Sequence, residues 1–157
     1  MRLSAIFSIC SSTTTELPSS VVSESGALIP SNRATGPEGA TGDDGVVRVE
    51  VLEPGATGDQ GRLRLRVTDL AGRPLTLGSY LGASAHLTGF AVGEGGFVHV
   101  HPYGAPEVTD DGTVLTFHTT FTDAGTFRMF VQVRVDGLLH QVALTTNVTS
   151  DSDGATG

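Results

Sequence analysis

Histidine is the residue type with the most chemistry to offer in this chain, at His86, His99, His101, His118 and His140. His99 and His101 stand two positions apart in Phe97-Val98-His99-Val100-His101-Pro102. Side chains alternate between the faces of a strand, so both imidazoles leave one face, about 7 Å apart at their Cα atoms. Val98 and Val100 point the other way, toward a core. Two imidazoles so placed can chelate one metal ion, and a third donor from a neighbouring strand would complete the site. His86, His140 and Glu107 are the candidates for that donor. Imidazole suits Cu(II), Zn(II) and Ni(II), with copper highest in intrinsic affinity. Met129 could add a thioether for Cu(I), but its neighbours on the same strand face are apolar, which assigns it to the core. His118, between Phe117 and Thr119, reads as an ordinary strand residue. Spacing alone also fits two histidines on a bare solvent face.

The elements that would position these residues are strands. From residue 46 onward the hydrophobic period is two: Val47, Val49 and Val51 alternate with Arg48 and Glu50, and Leu63, Leu65 and Val67 alternate with Arg62, Arg64 and Arg66. Further strands are expected at 86–92, 97–101, 113–121, 126–135 and 138–148. Gly95-Gly96, Asp110-Asp111-Gly112, Asp123-Ala124-Gly125 and Asp136-Gly137 separate them, with residue types that supply the positive φ of tight turns. In the strongest strand Phe127, Met129, Val131, Val133 and Val135 should face the core. No segment keeps a helical period. About seven short strands over roughly a hundred residues is the pattern of an immunoglobulin-like antiparallel β-sandwich, with a small barrel as the competing closure.

Residues 1–45 are rich in Ser, Thr, Gly and Pro and lack periodicity, so they read as a disordered tail; 46–149 is the sandwich domain and 150–157 a second disordered tail. Glycine recurs at every third position across Gly36–Gly45, but too few times for a collagen helix. Pro54–Gly61 repeats the phrase between two strands and reads as a hairpin loop.

Composition narrows the function. The formal charge is −8 and every basic residue is arginine. Such a surface repels phosphate backbones, which argues against nucleic-acid binding. One cysteine, Cys10, excludes an internal disulfide and a multi-cysteine zinc site. The apolar run Leu3–Cys10 is too short for a secretory signal, and no stretch is long enough to span a membrane. No serine–histidine–aspartate spacing, phosphate-cradling glycine loop or nucleophilic cysteine marks an enzyme. Asn147-Val148-Thr149 fits a glycosylation sequon and is read as chance.

Phe97-Val98-His99-Val100-His101-Pro102 resembles the F-x-H-V-H-P signature of small secreted or membrane-associated actinobacterial proteins, many of them described as heavy-metal-binding. Asp69–Pro74, Tyr80-Leu81-Gly82-Ala83, His86-Leu87 and Ala124–Gln132 resemble further runs of that family in the same order, so the likeness spans about residues 60–148. The resemblance implies a β-sandwich exported from the cytoplasm and associated with copper or another heavy metal, with His86, His99 and His101 matching recurrent histidines. A weaker resemblance is to cupins: Gly93, His99, His101, Glu107 and His140 look like parts of the two cupin motifs, which would hold Mn, Fe, Ni or Zn inside a barrel. Three functions follow as expectations. The first is a non-catalytic, extracytoplasmic sandwich binding or sensing copper or zinc through His99 and His101, with His86 and His140 as further ligands. The second is a metal-free immunoglobulin-like module that meets a protein partner. The third is a cupin-type metalloprotein.

Overall fold

A computed structural model describes residues 40–58, 61–93 and 95–150. Of the tails expected at residues 1–45 and 150–157, residues 1–39 and 151–157 lie outside the described residues, as does Cys10. The period-two runs form strands, and among the described residues there is no helix. The chain order is β1 (Thr41–Asp43), β2 (Val47–Pro54), β3 (Arg62–Asp69), β4 (Leu77–Gly78), β5 (Ala85–Ala91), β6 (Phe97–Val100), β7 (Glu107–Thr109), β8 (Gly112–His118), β9 (Gly125–Val135) and β10 (Leu138–Val148). One sheet has the order β1-β2-β3-β8-β7 and the other β10-β9-β5-β6, with β4 also on β9. All ladders within the sheets are antiparallel. Without the short β1 and β4, the orders β2-β3-β8-β7 and β10-β9-β5-β6 correspond to A-B-E-D and G-F-C-C′ of an immunoglobulin-like sandwich. His86 and His99 therefore sit on the C and C′ positions.

Alternation places the expected residues inside. Val47, Val49, Leu63, Leu65, Val67, Leu115 and Phe117 from one sheet meet Leu87, Met129, Val131, Val133, Val142 and Leu144 from the other, all fully buried. Apolar burial on this scale is the main force holding the sheets together. The outer face of the first sheet carries charge instead: Arg66 donates to Glu50 at 2.6 Å, and Arg62 lies 3.1 Å from Glu53.

Three strands differ from the sequence expectation. β1 falls within the stretch expected to be a tail. It pairs with β2 from Thr41↔Glu50 to Asp43↔Arg48, and a Cβ at Gly42 would collide with the Ala143 carbonyl oxygen on β10. Only glycine allows β1 to run so close to the opposite sheet. β4 and β7, like β1, are too short to show a period. The second sheet also contains an excursion. Val133 and Arg134 are adjacent on β9, yet their partners are Ala85 and Gly78. Residues 79–84 between those partners stand off the ladder as a loop, closed by Tyr80 and Ala83 exchanging backbone hydrogen bonds of 2.8 and 3.1 Å. Leu81 takes a positive φ of 47° in this turn, and Gly82 takes 83°. The loop stands beside His86.

Candidate metal centre

The β5–β6 hairpin brings the histidines together. Its register sets Thr88 opposite His99 and Leu87 opposite Val100. Alternation then gives His86, Thr88 and Phe90 the same outer face as Phe97 and His99. Val98 and Val100 turn inward and pack against the core, as expected. His101 lies one residue past the end of β6 and keeps to the same side, because its ring reaches both other histidines. Ring centroids are 4.5 Å apart for His86–His101, 5.1 Å for His99–His101 and 5.9 Å for His86–His99.

Each of these three histidines offers a ring nitrogen, and the nitrogens all lie within 4.8 Å of one another. A tetrahedral ion with bonds of 2.0–2.1 Å needs its donors about 3.3–3.4 Å apart. His86 is buried, whereas His99 and His101 are exposed, so closing that gap falls to the two exposed side chains.

Two of the rings are anchored by hydrogen bonds. His86 donates from Nε2 to the Tyr80 carbonyl oxygen at 2.8 Å. A carbonyl oxygen can only accept, so the proton is on Nε2 and the neutral ring keeps its Nδ1 lone pair for a ligand. Tyr80 also packs edge-on against this ring at 5.4 Å. His99 is anchored through the opposite nitrogen, with Nδ1 3.2 Å from Thr88 Oγ1. When Nδ1–H donates to the hydroxyl, Nε2 is left to coordinate. Orientation of a ligating imidazole by a hydrogen bond at its other nitrogen is the usual support for a histidine metal site. Desolvation lowers the pKa of His101 below its ordinary value, and repulsion from His86 and then His99 adds to it. The ring is therefore neutral, as a ligand must be, at neutral pH.

The other residues singled out from the sequence lie elsewhere. His140 sits at the far edge strand, opposite Val133 on the inward face, and its Nδ1 is 2.7 Å from Asp44 Oδ2. Glu107 is on the other sheet, 4.0 Å from Arg64. The set His99, His101, Glu107 and His140 is thus not brought together. Met129 is fully buried among apolar side chains. His118 is exposed and packs its ring against Tyr103 at 4.6 Å. Sequence reasoning missed Tyr80 and Thr88. Thr88 had a usable signal, because it shares the alternation of His86. The contribution of Tyr80 to His86's tautomer comes from a backbone carbonyl, which no residue type announces.

Fold and site together define an immunoglobulin-like sandwich with a three-histidine cluster on the outer face of its C–C′ hairpin. The chain belongs to the family described as a domain of unknown function, DUF8832, which matches residues 40–150. No curated protein and no solved structure matches the chain. Among the described residues no helix is long and apolar enough to cross a membrane.

Proposed function

We propose that this domain binds a transition metal, copper or zinc, through His86, His99 and His101, and works as a non-catalytic metal-binding or metal-sensing module outside the cytoplasm. The observation that carries this reading is the convergence of three imidazole nitrogens within 4.8 Å, from a hairpin that pairs in a fixed register and the residue that follows it. The anchoring of His86 by Tyr80 and of His99 by Thr88 supports it, since each hydrogen bond holds one ring nitrogen and leaves the other for a metal. Copper and zinc are favoured because three imidazoles form a borderline nitrogen donor set. The extracytoplasmic placement rests on the resemblance to F-x-H-V-H-P proteins. Titration calorimetry with Cu(II) and Zn(II) tests the reading, with wild type beside a His99→Ala/His101→Ala double variant. Saturable 1:1 binding by wild type alone is expected, and equal affinity in the two proteins would end the proposal.

A second reading, a metal-free interaction module, is favoured by one observation. Phe90 and Phe97 are exposed on the same sheet face, with Phe130 beside Phe90. Exposed aromatic groups of this kind mark binding surfaces. It predicts a melting temperature that neither chelator nor added metal moves.

A further inference from the structure

The geometry points to a fourth, solvent-facing position on the histidine-bound metal that takes an anion carrying an apolar group, namely an aryl or branched carboxylate. This rests on the metal-binding reading above and names the ligand class that completes the same site.

The first support is charge. Among the described residues, the groups that converge on the site are three histidines, with no carboxylate or thiolate. A divalent ion held by neutral imidazoles keeps its full charge, and an anion that neutralises part of it gains more than water does. Asp44 and Glu107 are engaged elsewhere: Asp44 holds His140, and Glu107 stands beside Arg64 on the other sheet.

The second support is access. His86 is buried beneath the Tyr80 turn, while His99 and His101 are exposed. A metal gripped between them is covered from the sheet and loop side and open toward solvent. Three protein ligands with one open position is the arrangement that admits an exogenous donor.

The third support is the apolar wall next to that opening. Phe97 lies two residues before His99 on the same face, opposite Phe90. Their rings are 5.3 Å apart, and Phe130 stands 6.1 Å behind Phe90. Phe97 is 63% exposed and Phe90 46%, although both are large apolar groups. One ladder step along this face is about 7 Å. Phe97 is therefore the neighbour of His99 along this face, placed to meet the ring that a metal-bound aryl carboxylate carries.

The test loads the full-length protein with Co(II), whose visible absorption reports the donor set and coordination number of a zinc-like site. The loaded protein is titrated with sodium azide, acetate and benzoate, with wild type beside Phe97→Ala. All three anions should shift the Co(II) bands. Benzoate should bind about tenfold more tightly than acetate in wild type, and the ratio should fall to within about twofold in Phe97→Ala. Azide, which has no apolar part, should bind both proteins equally. Phe97 is exposed, so the variant should keep the wild-type melting curve, which is recorded alongside. Co(II) bands that no anion moves would overturn the open position and leave metal binding intact. Equal affinity for acetate and benzoate in wild type, or a preference that survives Phe97→Ala, would overturn the apolar wall. Failure to form Co(II) bands at all would overturn both this inference and the metal reading.

Discussion

The second sheet holds histidines at both of its edges, in opposite circumstances. On β10, His140 faces inward and meets a carboxylate at 2.7 Å, with both side chains largely buried at 12% and 13% exposure. On β5 and β6, His86, His99 and His101 face outward and meet mainly one another. Asp44 is itself well held. Burial works to raise its pKa, but hydrogen bonds from the Val47 backbone N–H, the His140 ring and the Val46 backbone N–H outweigh burial and lower it. The His140–Asp44 pair therefore ties the β1–β2 turn of one sheet to the edge strand of the other. Among the described residues, the outward trio has no acid in its cluster. One residue type thus gives a structural latch where a carboxylate faces it and a candidate ligand set where other imidazoles do.

The largest expected difference between the two regions is in metal affinity. His99→Ala/His101→Ala removes two of three donors and should weaken Cu(II) or Zn(II) binding at least about a thousandfold. His140→Ala should leave the affinity within about twofold. Calorimetry on the two proteins side by side checks this. A large loss in His140→Ala would mean that the latch and the ligand set are not separate.

The next difference is in stability and runs the other way. Asp44→Ala removes the acceptor for three hydrogen bonds and leaves His140 without its partner. This should cost about 2–3 kcal/mol of unfolding free energy, read from urea denaturation. The double histidine variant, without metal, should stay within about 0.5 kcal/mol of wild type because both side chains are exposed. The latch also has its own pH signature. Asp44's pKa is depressed in the folded state, so its contribution is complete above the unfolded value of 3.8 and is lost as pH falls through the lower folded value.

A smaller effect sharpens the account of the ligand set itself. Thr88→Val keeps the shape of the side chain but removes the hydroxyl that holds His99 Nδ1. Metal affinity should fall about tenfold with no loss of stability. Thr88→Ser, which restores the hydroxyl, should recover most of it. A variant that binds as tightly as wild type would show that His99 needs no orientation.

How much of this could be read from residues alone depended on distance along the chain. Period-two alternation in Phe127–Val135 and Val47–Val51 fixed which residues were core, because every strand of a two-layer sandwich obeys it. The same rule set His99 and His101 side by side. His86 was a third candidate, but only hairpin register could rank it above His140. The partner of His140 lies 96 residues away, in a glycine-rich stretch whose composition reads as a spacer. β1 is built there by pairing with β2 and close approach to β10, which leave no period in three residues. The excursion at 79–84 is equally hidden, since it depends on adjacent residues of β9 pairing with Gly78 and Ala85, a choice made by a distant strand.

The smallest expected effect isolates His101, which has no hydrogen bond from its ring to another described residue. Its pKa in the folded, metal-free protein lies below the unfolded value of 6.5, first through desolvation and then through its two histidine neighbours. The folded state thus binds fewer protons than the unfolded chain just below pH 6.5, and stability rises with pH across that window. In His101→Ala the slope should flatten there, while the loss below pH 3.8 that belongs to Asp44 should persist. Urea midpoints between pH 3 and 8 separate the two. A wild-type slope that survives His101→Ala unchanged would mean that its surroundings, desolvation first and then its two histidine neighbours, do nothing to keep His101 neutral.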